Sequence, residues 1–133
     1  MPGEFLDTNI LVYAFSTDRR SASATAIMAR GGTISVQCLN EFVNVARRKL
    51  RMEWREIHQA LVAIRSFCRC IPLDLEIHSA ALALAERHGF SIFDAVIVAS
   101  ALASDCDVLL TEDMQHGQIV NGQLRLVNPF LPG

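Results

Sequence analysis

Acidic side chains at four separate places in this 133-residue sequence could together bind a divalent cation. One follows a short apolar segment near the N-terminus, two adjacent ones follow an apolar segment near the C-terminus, and two lie on helical patterns between them. In chain order they are Asp7, Glu41, Asp94, Glu112 and Asp113. If the fold gathers them, protonation or a bound cation must relieve their mutual repulsion. Carboxylate oxygens suit Mg²⁺ or Mn²⁺, which favour phosphate-bearing substrates, so the acids predict metal-dependent phosphodiester chemistry.

Each acid also has a local role that requires no chemistry. Asp7 could cap the helix that follows it, and Asp94 stands three residues after Ser91, which is the spacing of a capping box. Glu41 could be a solvated helix residue, and the two C-terminal acids fall in a predicted turn, where acids are common. The prediction of a site therefore depends on the fold placing these residues together.

The elements that must position the acids alternate between short apolar runs and longer helical patterns, which indicates an α/β fold. Strands are predicted at residues 5–6, 33–36, 71–73, 108–110 and 124–127. Helices are predicted at residues 10–15, 20–29, 38–48, 54–68, 75–85 and 92–103. Four or five mostly parallel strands between two layers of helices would form a doubly wound sheet, with right-handed connections.

Two of the acidic segments directly follow predicted strands. Asp7 follows the first strand, and Thr111 precedes the acidic pair after the strand at 108–110. Ligands of open α/β sheets bind beyond the carboxyl ends of the strands, where the strand order reverses. If these two strands are neighbours, acids from opposite ends of the chain share one cleft, which the helix-borne Glu41 and Asp94 could join.

Length and composition predict one globular domain over residues 1–133. The chain is 51% hydrophobic, and its 12 basic and 14 acidic residues give a net charge of −2, unlike a protein that simply coats nucleic acid. Its four cysteines contain no C-x-x-C pair and fit neither a zinc ribbon nor a disulfide framework. We find no export signal and no apolar run of about 18 residues, so a cytoplasmic protein without a membrane anchor is expected.

Positive charge is concentrated in one block of the sequence. Residues 47–70 hold seven basic and two acidic side chains, and the block opens with Arg47 and Arg48, followed by Arg51. Guanidinium groups bind phosphate or carboxylate through paired hydrogen bonds. These arginines could therefore contact an anionic partner, or they could simply solvate a helix surface.

Four short segments resemble, in order, the successive motifs of PIN-domain proteins. They are DTNILVY at 7–13, LNEF at 39–42, FDA at 93–95 and LTED at 110–113. Their spacing agrees with that family as well, and the resemblance covers nearly the whole chain. Within the family, the sequence is most similar to the VapC-like toxins of bacterial type II toxin–antitoxin pairs.

The resemblance implies a PIN-like three-layer α/β/α fold and an endoribonuclease that depends on Mg²⁺, for which Mn²⁺ substitutes. It assigns four acids to catalysis and to metal binding: Asp7, Glu41, Asp94 and Asp113. Asn9 would orient Asp7, and Thr111 would place a hydroxyl near the site. Glu112 could supply the fourth carboxylate instead, but Asp113, two residues after Thr111, fits the family pattern better.

The resemblance further implies an RNA substrate, a cognate antitoxin and a homodimer. The mean hydropathy of +0.28 agrees with an apolar surface that a second subunit covers. Arg47, Arg48 and Arg51 could hold RNA phosphates or an acidic antitoxin segment. The alternative function is a catalytically silent PIN-like module that binds protein or RNA. A phosphoryl-accepting receiver domain is disfavoured, because it needs a lysine beside the acids and the only lysine, Lys49, follows a helix.

Overall fold

The strands form one mostly parallel sheet in the computed structural model, which describes residues 3–132. They are β1 (Glu4–Leu6), β2 (Thr33–Ser35), β3 (Arg69–Ile71), β4 (Val108–Leu110), β5 (Ile119–Val120) and β6 (Leu124–Val127). Their order across the sheet is β3-β2-β1-β4-β6-β5, and only the β5–β6 pair is antiparallel. The predicted α/β class is confirmed, although the described residues form six strands instead of four or five. The predicted domain limits at residues 1 and 133 lie outside these residues.

Six helices flank the sheet within the same described residues. They are α1 (Thr8–Ala14), α2 (Ser21–Ala29), α3 (Val36–Arg48), α4 (Trp54–Phe67), α5 (Leu75–His88) and α6 (Ile92–Ala103). Helix α1 packs against α2 and α3, while α5 packs against α6, and the whole is a three-layer α/β/α arrangement. The predicted PIN-like architecture is therefore confirmed.

Three strands differ from the sequence-based prediction. Val36, predicted as the last residue of the second strand, instead begins α3. The predicted strand at 71–73 ends instead at Ile71, because Pro72 has no N–H to donate to the sheet. The short strand β5 was not predicted. A tight turn joins it to β6, in which Asn121 and Gly122 have φ values of 53° and 65°. This left-handed backbone favours an Asn-Gly pair in hairpins, so the dipeptide was a signal for the missed strand.

The strand order reverses beside β1, which lies between β2 and β4. Leu6 is in register with Leu110, and the N–H of Asp7 donates to the Leu110 carbonyl at 3.0 Å. The carboxyl ends of these two strands therefore lie side by side, and the residues that follow them open into the same crevice.

Fully buried apolar side chains belong to the strands and the helix that form this crevice. Phe5 and Leu6 of β1 and Leu109 of β4 have no exposed surface. Phe42 is also fully buried on α3, one turn from Cys38, and Glu41 lies on the flank beside this buried face. The strand ends are thus rigid positions for polar groups. The described residues contain no helix long and apolar enough for a membrane span.

Candidate active site

Asp7 is the buried centre of the acidic residues. It follows β1, caps the N-terminus of α1 and is only 4% exposed. Its Oδ1 accepts a hydrogen bond from the N–H of Thr8 at 2.6 Å, and its Oδ2 accepts one from the hydroxyl of Thr111 at 2.7 Å. The capping role considered from the sequence is therefore real, but it uses only one carboxylate oxygen. The bond to Thr111 joins the two strand ends.

Burial and neighbouring acids both raise the pKa of Asp7. Burial raises this pKa from 3.8 to about 6, although the hydrogen bonds from Thr111 and Thr8 oppose the change. The negative charges of Asp113 and Glu41 raise it further. Acids separated by more than a hundred residues in the sequence therefore interact at this crevice.

Asp113 lies at the mouth of the crevice, in the turn after β4. Its Oδ2 accepts a hydrogen bond from the Asn9 amide at 2.7 Å, and its N–H donates to the Thr111 hydroxyl at 3.2 Å. Burial raises the pKa of Asp113, and the charges of Glu112 and Asp94 raise it further, while the bond from Asn9 lowers it. Asn9, expected from the resemblance to orient Asp7, thus hydrogen-bonds to Asp113.

The remaining two acids come from helices. Glu41 is half-buried on α3, where its Oε1 accepts a hydrogen bond from the Gln37 amide at 3.1 Å. Asp94 is half-buried in the first turn of α6, where its N–H donates to the Ser91 hydroxyl at 3.2 Å. Ser91 therefore caps α6 through the Asp94 backbone, and the Asp94 side chain acts on the pKa of Asp113. The four predicted acids are linked electrostatically in the order Glu41, Asp7, Asp113, Asp94.

Glu112, the alternative to Asp113, takes part in a different cluster. Its two oxygens accept hydrogen bonds from Nη1 of Arg20 at 2.8 and 3.2 Å, and Oε1 also accepts one from the Tyr13 hydroxyl. The Arg20 guanidinium lies 4.0 Å from the centre of the Tyr13 ring, and its Nε contacts Asp18 at 2.7 Å. These contacts connect the turn after β4 to α1 and occupy both oxygens of Glu112, although its charge still raises the pKa of Asp113. Neither Arg20 nor the role of Tyr13 was predicted from the sequence.

The donor chemistry of the four acids fits a hard cation. Among residues 3–132, no group of three His, Cys, Asp or Glu side chains is arranged to hold a metal ion. However, the four acids offer oxygen donors. Burial raises the pKa of Asp7, the negative charges of Asp113 and Glu41 raise it further, and a divalent cation would offset both effects. A metal site formed by Asp7, Glu41, Asp94 and Asp113 therefore stays a proposal.

The arginines that were predicted to bind phosphate lie at the end of α3 and in the turn after it, not among the four acids. Arg47 and Arg48 end α3, and Arg51 follows in the turn before α4; all three side chains are exposed. Arg47 donates through Nη1 to the Met52 carbonyl at 3.0 Å and lies over the ring of Trp54 at 4.8 Å. The structure thus places these arginines at a corner between two helices.

We compared the chain with known proteins in order to assign it to a family. None of the curated proteins compared with the chain is significantly similar to it in sequence. A chain of a toxin–antitoxin complex from Klebsiella pneumoniae is similar in structure, with a TM-score of 0.74 and 23% identity over 96% of this chain and 98% of that one. Mycobacterium tuberculosis VapC20, described as a sarcin–ricin loop cleaving toxin, has a TM-score of 0.68 and 21% identity over 83% of this chain and 91% of its own.

A third solved structure is Rickettsia felis VapBC2 bound to a DNA fragment from its promoter. It has a TM-score of 0.61 and 23% identity, and the match covers 83% of this chain and 87% of that one. At these levels of sequence identity, the structural similarities are evidence of a shared fold only. The sequence model of the PIN domain matches residues 5–120, a span that contains all four acids and most of the chain. The chain therefore belongs to the PIN domain family.

Proposed function

We propose that this protein is a metal-dependent endoribonuclease that hydrolyses RNA phosphodiester bonds, and that it is the toxin of a toxin–antitoxin pair. The observation that carries the proposal is the junction at the reversal of strand order, where the Thr111 hydroxyl donates to Asp7 and accepts a hydrogen bond from the N–H of Asp113. PIN-domain nucleases generally use divalent metals, and the structurally similar proteins include a toxin described as cleaving the sarcin–ricin loop. Both facts support this choice of reaction.

The chain's own residues would bind the cation and keep its ligands in place. Asp7, Glu41, Asp94 and Asp113 would hold the ion, which lowers the pKa of bound water and neutralises charge on the phosphate. The hydroxyl of Thr111 and the N–H of Thr8 each fix one oxygen of Asp7. Because Asn9 also holds Asp113, two acids are oriented before substrate binds.

Antitoxin binding, homodimer formation and a cytoplasmic location belong to the same proposal. Two of the three similar structures are described as a toxin–antitoxin complex or as VapBC2. Large apolar side chains exposed on α4, α5 and α6 give a second subunit surfaces to cover; they are Val62, Leu75, Leu82 and Phe93.

A cleavage assay with a variant of one acid tests the proposed activity. The purified protein should cut total RNA in the presence of Mn²⁺ or Mg²⁺, and a chelator should stop the reaction. Asp94→Asn should lower the rate about a hundredfold, because one charged ligand is lost while the packing of α6 is kept. Absence of cleavage by the unsubstituted protein with either ion would favour the alternative of a catalytically silent binding module. Equal rates for both proteins would remove Asp94 from the mechanism.

Cation binding should also stabilise the folded protein. Millimolar Mn²⁺ should raise the melting temperature by about 3 °C or more, since a ligand that binds only the folded state adds to its stability. Asp7→Asn should reduce this increase, because the ion then loses a charged ligand. Scanning calorimetry with NaCl at the same ionic strength as control would measure the effect. A melting temperature that Mn²⁺ does not change would contradict the proposed metal site.

A further inference from the structure

The corner between α3 and α4 carries a cluster of cations that we call the basic patch. It consists of Arg47, Arg48, Lys49, Arg51 and Arg55, and all five side chains are exposed. The ion pairs formed among residues 3–132 join Arg20 to Asp18, Arg20 to Glu112 and Arg30 to Glu4. None of these pairs neutralises a member of the basic patch, although the chain as a whole is acidic.

The two acidic residues nearest in sequence to the basic patch both take part in capping the N-terminus of α4. Glu53 and Glu56 form the capping box of α4, in which the N–H of Glu53 donates to Oε1 of Glu56 at 2.9 Å. Carboxylates at a helix N-terminus interact favourably with the backbone N–H groups and the helix dipole there. The basic patch therefore keeps an excess of positive charge that an anionic ligand can neutralise.

The only tryptophan of the chain lies within the basic patch. Trp54 is 55% exposed, and the guanidinium of Arg47, which also donates to the Met52 carbonyl, lies 4.8 Å from the ring centre. An exposed aromatic ring among arginines is the combination that binds single-stranded nucleic acid, since bases stack on the ring while cations contact the backbone. An acidic peptide would use the cations and leave the ring without a role.

One member of the basic patch, Arg48, lies on the side of α3 that carries one of the acids. Arg48 follows Glu41 by seven residues on α3, so the two side chains project at nearly the same angle, about 10 Å apart along the helix axis. A single strand held at the basic patch could therefore extend along α3 toward the acids.

We propose that the basic patch and Trp54 form a subsite for single-stranded RNA, which holds the substrate for cleavage at the acids. This inference rests on the proposed endoribonuclease function and adds the place on the protein where the RNA binds. The ring of Trp54 stacks on a base, while Arg48 and Arg51 contact phosphates.

Direct binding measurements test the subsite. Asp94→Asn protein, used to prevent cleavage, is titrated with a short unstructured single-stranded RNA while the fluorescence of Trp54 is recorded, and the emission should be quenched. In anisotropy measurements with labelled RNA, Trp54→Leu should weaken binding about tenfold or more, whereas Trp54→Phe keeps most of the affinity. Arg48→Ala combined with Arg51→Ala should lower the slope of log K against log salt by about 1.4, because two phosphate contacts are lost.

A matched control variant shows whether RNA binds at the basic patch or to positive charge elsewhere on the protein. Arg87→Ala removes an exposed arginine of α5 outside the basic patch and should change neither affinity nor slope. Unchanged RNA binding by Trp54→Leu would overturn the inference, and so would quenching by polyglutamate equal to that by RNA, which would assign the patch to an acidic protein segment. If the subsite binds RNA but the unsubstituted protein cuts none, the proposed function fails and the subsite stands. If RNA is cut and Trp54→Leu leaves both KM and affinity unchanged, the subsite alone fails.

Discussion

Asp7→Asn should abolish RNA cleavage and, in metal-free buffer, should make the folded protein more stable at neutral pH. Cleavage should fall about a thousandfold, because the buried carboxylate common to the coupled acids loses its charge. The amide has the same shape, so it can still accept the hydrogen bond from Thr8 and can donate one to the Thr111 hydroxyl. The substitution thus removes charge with little change of packing.

The stability gain follows from the pKa of Asp7. This pKa is about 6 in the folded protein against 3.8 for the ordinary group, so folding makes ionisation harder. Between these two values the folded state binds more protons than the unfolded state, and the free energy of unfolding therefore falls as the pH rises. Above about pH 6 the full cost is present, and it corresponds to about 3 kcal/mol at most. Asp7→Asn removes this cost, which would raise the melting temperature by up to about 10 °C.

Denaturation at several pH values in the presence of a chelator checks this prediction. The stability difference between Asp7→Asn and the unsubstituted protein should be largest near neutral pH and should disappear below the ordinary pKa of 3.8. Ser91→Ala is a useful comparison, since it removes a helix cap without a change of charge and should destabilise the protein at every pH. A stability difference that does not depend on pH, or an active Asp7→Asn protein, would contradict the assigned position of Asp7.

The placement of the acids could be predicted as far as it depends on strand ends. Asp7 and Thr111 each directly follow a strand, and once β1 and β4 are neighbours the backbone alone puts them side by side. Likewise, the four-residue spacing of Cys38 and Phe42 fixes the buried face of α3 and leaves Glu41 on the flank. These features follow from strand and helix periodicity, which the sequence carries locally.

What the sequence could not reveal depends on side chains that meet only in the folded chain. Arg20 has no local pattern that indicates a partner, yet it binds Glu112, which is 92 residues away. The choice of partner for Asn9 is similar, because its amide can reach Asp113 only after the turn beyond β4 has been placed. Local spacing specifies elements, while the assignment of adjacent acids to different roles arises from tertiary contacts.

The adjacent acids Glu112 and Asp113 should therefore respond very differently to removal of their charge. Asp113→Asn should lower the turnover number by at least about a hundredfold, because Asp113 is one of the coupled acids at the crevice. Glu112→Gln should keep the turnover number within about threefold, since its amide oxygen can still accept hydrogen bonds from Tyr13 and Arg20. The loss of charge opposite Arg20 should instead lower stability by about 1 kcal/mol.

Paired measurements of turnover and melting temperature on the two variants distinguish these roles. Tyr13→Phe removes the one hydrogen bond that Glu112 accepts from a neutral group. It should therefore cause a similarly modest loss of stability and should likewise preserve catalysis. A large loss of turnover in Glu112→Gln together with an active Asp113→Asn protein would reverse the assignment. In that case Glu112 would have to leave Arg20 when substrate or metal binds, and Arg20 would be expected to contact the substrate phosphate once it is released.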